Sequence, residues 1–126
     1  MDFIMKGNTF STELKYGELT IAHDEAYGFR PFQLMVSSIA VCSGGILRKI
    51  LEKKRMNIED LRIKADVIRS ESEIKRIEKI HLHFIIKGKN LVEKKVQKAM
   101  ELTSRNCPMV QSVEGCIEIT ETFETV

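Results

Sequence analysis

Two cysteines in uncharged surroundings are the residues best placed to do chemistry. Cys42 sits in "SSIAVCSGGILRKI", residues 37 to 50, among serines and glycines rather than the branched aliphatics usual around a structural thiol. Cys107 sits in "RNCPMV", residues 105 to 110, directly before Pro108. A proline suits the first position of a helix, because its φ is fixed and its missing N–H would go unpaired there anyway. Cys107 then falls at the N-cap, where unpaired backbone N–H groups and the helix dipole favour an anion. Thiolates in such positions have pKa values lowered to roughly 3.5–7.5. The simpler reading is that Cys107 is only a small residue that closes a helix.

As a pair, the thiols could run a two-step redox reaction. One thiolate attacks an O–O bond and becomes a sulfenic acid, which condenses with the second thiol to a disulfide. This needs the two Cα atoms within about 4.4–6.8 Å, and their wide separation in sequence neither supports nor forbids that. The glycines beside Cys42 raise a similar choice. Two successive glycines inside a helix cost about 1 kcal/mol each relative to alanine. Close approach of another backbone, or of a substrate, would compensate, and so would tight helix packing alone.

The other candidates are weaker. Cys116 is expected to alternate onto the side of Glu118 and Thr120 as a surface or interface thiol. His81 and His83 share a strand face, as two metal ligands would. No third ligand is spaced to join them, so no metal is expected. His23, beside Asp24 and Glu25, reads as a loop histidine, and Met35, Met56, Met100 and Met109 read as core filling.

Composition bounds the rest. The 126 residues suit one domain, taken as spanning 1–126. Twenty Lys and Arg against 18 Asp and Glu give a net charge of +2, which argues against a nucleic-acid partner. The one basic cluster, "RKILEKKR" at 48–55, reads as a solvated helix end. The run from Pro31 to Leu47 lacks charge but carries Gln33, Ser37, Ser38 and Ser43, too polar and too short for a comfortable membrane span. With three cysteines and no apparent signal peptide, a cytoplasmic protein with free thiols is expected.

The elements that must hold these residues follow from periodicity. "DFIMKG", "TFSTELK" and "ELTIAH" read as three short strands split by turn signals, with Phe10, Thr12 and Leu14 on one face. A helix is expected from about Pro31 to Arg55. It is apolar or small on every face up to Leu47, so more than one sheet must cover it, and a second copy of the chain is the simplest cover. "LRIKADVIR" and "KIHLHFIIKG" alternate as a hairpin. Asn90 with Glu93 would cap a helix carrying the stripe Val92, Val96, Ala99, Met100 and Thr103. A short helix then opens at Pro108, and "GCIEITETF" closes the chain as a strand with Ile117, Ile119 and Phe123 inward. The order is βββ-α-ββ-αα-β, an α+β fold.

With these residues in place, "RPFQLMVSSIAVCSGGILRKIL" resembles the long-helix motif of the OsmC/Ohr family, the osmotically induced protein C and organic hydroperoxide resistance proteins. Pro31 and Cys42 have the family's spacing, "NCPMVQSV" resembles its second motif, and the element order is similar over nearly the whole chain. The resemblance implies an OsmC-like fold with long central helices in an intertwined homodimer. It also implies a stress-response peroxidase that reduces organic hydroperoxides. Cys42 would be the peroxidatic thiol and Cys107 the resolving one, with a dithiol reductant such as dihydrolipoamide and no bound cofactor. Small residues such as Ser38 and Gly45 would leave room for a peroxide.

Two departures stand out. Family members use a glutamate near the start of this helix and an N-terminal arginine to hold the thiolate. Here the glutamate position falls on Phe32 or Gln33, and no arginine precedes Arg30, leaving Lys6, Lys15 or Arg30 to supply positive charge. Phe32, Gln33 and Arg30 are therefore substrate-site candidates alongside Ser38 and Gly45. The rival readings are a non-enzymatic small-ligand-binding protein and a thiol redox sensor.

Overall fold

A computed structural model describes the whole chain, Met1 to Val126. It contains two compact units, residues 1–37 and 38–126. In the first, β1 (Ile4–Lys6), β2 (Thr9–Glu13) and β3 (Glu18–Ile21) form an antiparallel meander. Gly7 takes a φ of 59° in the first turn, and Leu14 and Gly17 exchange backbone hydrogen bonds of 3.0 and 3.1 Å in the second. The expected alternation is only partly kept. Ser11 and Thr12 are both buried, while Phe10 and Leu14, expected on the same face as Thr12, are exposed.

Helix α1 (Pro31–Lys53) begins in the first unit and continues into the second. It ends two residues before the expected Arg55, for a visible reason. Arg55 adopts a left-handed φ of 62°, its N–H bonds Glu52 O at 3.0 Å, and Met56 N–H bonds Leu51 O at 3.0 Å. This is a Schellman stop with arginine where glycine is usual.

The second unit holds the core. Strand β4 (Asn57–Arg69) pairs antiparallel with β5 (Ile77–Lys89), which pairs parallel with β6 (Glu118–Thr125). The parallel register needs a crossover, and α2 (Glu93–Asn106) with α3 (Pro108–Ser112) makes it. Alternate residues of β5, namely Ile80, Leu82, Phe84 and Ile86, are fully buried, as are Ile39, Leu47 and Leu51 of α1 and Val96 and Ala99 of α2. Each large aliphatic or aromatic side chain among them contributes about 1.5–3 kcal/mol on burial. The α+β order is as expected. Two details differ: α2 is capped by Val92 rather than Asn90, leaving Val92 46% exposed, and β6 begins at Glu118, so Cys116 lies in the preceding turn.

By length and composition α1 could cross a bilayer, its best stretch having a mean hydropathy of 1.5. The fully buried Ile39, Ser43, Leu47 and Leu51 instead make it a helix of the protein's own core. Its other face stays open within one chain: Ser37, Ser38, Val41 and Gly45 are all exposed.

The glycine pair divides into two roles. A Cβ on Gly44 would run into Cδ1 of Ile63 on β4, whereas one on Gly45 would meet nothing within 4 Å. Gly44 is therefore a packing glycine. We expect Gly44→Ala to destabilise the protein by no more than about 1 kcal/mol in urea unfolding, because the end of Ile63 can turn aside and alanine favours the helix. Ile63→Val removes the clashing methyl and should recover part of that loss in the double variant. Additive losses would contradict this packing account.

Candidate active site

Cys107 is placed by the junction between two helices. Pro108 biases the residue before it towards extended backbone, and Cys107 has φ −78° and ψ 112°. Its N–H bonds Thr103 O at 2.9 Å to close α2, and its carbonyl accepts from Gln111 N–H at 2.9 Å to open α3. One residue is thus C-cap and N-cap at once. The side chain is fully buried, and the Cys42 thiol lies near enough to raise its pKa. Both cysteines are reduced in this structure, with Cys42 half-buried and Cys116 exposed. The two thiols singled out by the sequence therefore meet, and Cys116 does not join them.

The electrostatics differ from the sequence expectation. An N-cap thiol should be acidified, yet the Cys107 thiol is pushed above its ordinary value of 9.0. Burial is the main cause, because it penalises the thiolate. The N–H groups of Val110 and Met109 pull the other way without outweighing it, and Cys42 raises it further through hydrogen bonding and charge. A helix as short as α3 offers too little to offset full desolvation. The contact with Cys42 favours the proton on Cys107.

The proposed substrate-site residues separate. Ser38 and Gly45 lie on the stripe of α1 that also carries Cys42. Phe32, Gln33 and Arg30 belong to the first unit. There the Arg30 guanidinium stacks 4.8 Å from the centre of the Phe32 ring, and the exposed Gln33 accepts a 2.6 Å bond from Ser37 Oγ through its backbone carbonyl. His81 and His83 are held by Thr120 and Thr122 across the outer face of β5 and β6, at 2.6 to 3.0 Å. No three His, Cys, Asp or Glu side chains converge as metal ligands would.

One residue escaped the sequence reading. Glu121 lies on β6 between Ile119 and Phe123, and a period of two puts all three on the core face. Ser43, next to Cys42 and fully buried, donates a 3.0 Å hydrogen bond to Glu121 Oε1. The second carboxyl oxygen, Oε2, is buried without a partner. Burial raises the Glu121 carboxyl above its ordinary 4.5, and the Ser43 bond only partly opposes this. The signal was present in the sequence as a carboxylate at an inward position of an alternating strand.

Comparison with known proteins places this geometry. Residues 22–122 match the family model for OsmC-like proteins. Protein YhfA of Escherichia coli K12 is 28% identical over 97 residues, 76% of this chain and 72% of its own. The crystal structure of a hypothetical protein from Aquifex aeolicus VF5 superposes with a TM-score of 0.89 at 27% identity, covering 99% of this chain and 93% of that one. An organic hydroperoxide resistance protein from Elizabethkingia anophelis shares the fold at 17% identity, with a TM-score of 0.73 over 97% and 92% of the two chains.

The raised Glu121 carboxyl gives a pH prediction. The folded chain holds this proton more tightly than the unfolded one, so its stabilising effect is complete below about 4.5 and is lost as pH rises through the folded value. Urea unfolding across this window should show a decline in stability that Glu121→Gln removes. Parallel curves for the two proteins would contradict it.

Proposed function

The chain belongs to the OsmC-like protein family, and on that footing we propose that it is a thiol-dependent peroxidase acting on organic hydroperoxides. The proximity of the Cys42 and Cys107 thiols, close enough for one to raise the other's pKa, carries this reading. Burial supports the division of labour: the half-buried Cys42 is the thiol a peroxide can reach, while Cys107 is fully buried beside it. The Cys42 thiolate attacks the outer oxygen of R–O–OH, the O–O bond breaks, and the alkoxide takes a proton to leave as ROH. Cys42 is then a sulfenic acid. The Cys107 sulfur displaces its hydroxyl as water, forming the Cys42–Cys107 disulfide. A dithiol such as dihydrolipoamide reduces that disulfide through a mixed disulfide and is itself oxidised.

The shared fold of an organic hydroperoxide resistance protein supports the peroxide class. The uncharged, exposed face of α1 with Val41 68% exposed supports a homodimer, and the buried stripe of α1 supports a soluble protein. The chain as a whole would act as a single domain within that dimer. Ser38 and Gly45 would border the peroxide.

A thiol redox sensor is the second reading, favoured by one observation. Phe32 and Gln33 supply no carboxylate at the start of α1, where characterised relatives use one to hold the thiolate. Both readings share the disulfide and differ in turnover.

Titration of reduced protein with cumene hydroperoxide should consume two thiols per chain and give a Cys42–Cys107 disulfide by mass spectrometry. Cys42→Ser should abolish peroxide consumption, and dihydrolipoamide should sustain turnover. Three intact thiols under excess peroxide would overturn both readings, and a disulfide without turnover would favour the sensor.

A further inference from the structure

The inward face of β6 reads Ile119, Glu121, Phe123, and a carboxyl in that series is unexpected. An apolar residue would fit without leaving a buried oxygen such as Glu121 Oε2 unpartnered. What the carboxyl does provide is direction. The apolar contacts of α1, through Ile39, Ala40, Leu47 and Leu51, press the helix onto the sheet without any directional bond. The Ser43–Glu121 hydrogen bond, 3.0 Å between a fully buried hydroxyl and a strand of the sheet, does depend on that rotation. Ser43 is the next residue after Cys42. A turn of about 20° would carry a side-chain atom roughly 2 Å, given a radius of 5–6 Å for a helix with its side chains. A displacement of that size would take the Cys42 sulfur off Cys107.

We propose that Glu121, acting through Ser43, is a positioning residue for Cys42, fixing the rotation of α1 that keeps the two thiols in contact. The claim rests on Cys42 and Cys107 being the working pair, but it concerns their geometry rather than their chemistry. Around the Ser43–Glu121 pair, α2 contributes the only other charged group on the adjoining cavity, Glu93, with Gln97, Met100, Thr122 and Phe123 completing a space of about 300 Å³. No cation there competes for the carboxyl.

The test uses phenylarsine oxide, whose trivalent arsenic is bridged by two thiols in reach of one another and needs no oxidant. Its affinity is measured for reduced wild type and for Glu121→Gln, Glu121→Leu and Ser43→Ala, with Cys107→Ser as the single-thiol reference. Glu121→Leu and Ser43→Ala should weaken binding by roughly tenfold or more, whereas Glu121→Gln, which keeps an acceptor for Ser43, should stay close to wild type. Circular dichroism establishes folding, and Ser43→Ala, which deletes one oxygen atom, decides the matter if Glu121→Leu does not fold. Wild-type affinity in both Ser43→Ala and a folded Glu121→Leu would overturn the proposal. So would wild-type affinity no higher than that of Cys107→Ser. If arsenical binding behaves as expected and peroxide still leaves the thiols intact, both functional readings fall and the positioning claim stands.

Discussion

The depth to which α1 sits on the three-stranded sheet governs the rest of the second unit. Gly44 suits that depth, because the end of the Ile63 side chain occupies the space a Cβ there would need. At this distance Ser43 reaches Glu121 on β6, and Cys42 reaches Cys107 at the end of α2. A methyl at Gly44 would have to turn the end of the Ile63 side chain aside, which crowds the face of α1 next to Ser43 and Cys42. The conformational cost of glycine in a helix, about 1 kcal/mol, is offset by this close packing. Gly45 serves no such contact and instead keeps the opposite face of α1 small.

Burial also sets the protonation of the site. The Cys107 thiol has two backbone N–H groups beside it and still rises above its ordinary value, because desolvation outweighs them. Glu121 rises for the same reason, with one hydroxyl as its only hydrogen-bond donor. Both groups therefore tend to hold their protons, and of the paired thiols Cys42 is the less buried. Enclosure beside Cys42 fits the resolving role proposed for Cys107, whose sulfur must still lose its proton as it displaces the hydroxyl of a sulfenic acid.

Much of this was legible in the amino-acid order. The period-two alternation of "KIHLHFIIKG" gave the buried strand β5, the uncharged run after Pro31 gave α1, and Cys-Pro gave the start of α3. What could not be read was anything decided by long-range packing. The N-cap position of Cys107 suggested an acidified thiol, but its degree of burial comes from contacts distant in sequence. The even choice over Gly44 and Gly45 could not be resolved until Ile63 was in place. The inward carboxylate of Glu121 was visible in the strand pattern, but its partner, Ser43, lies 78 residues away. The stop of α1 at Lys53 depends on a left-handed arginine that no local propensity favours.

The most direct test of the central claim is to trap the first oxidised intermediate. Reduced Cys107→Ser protein is exposed to one equivalent of cumene hydroperoxide with dimedone present, and the adduct is mapped by mass spectrometry. If Cys42 is the attacking thiol and Cys107 its resolving partner, dimedone should mark Cys42 in this variant, while wild type gives the disulfide in its place. An adduct confined to Cys116, or none on any cysteine, would contradict the assignment of Cys42 as the thiol that meets the peroxide.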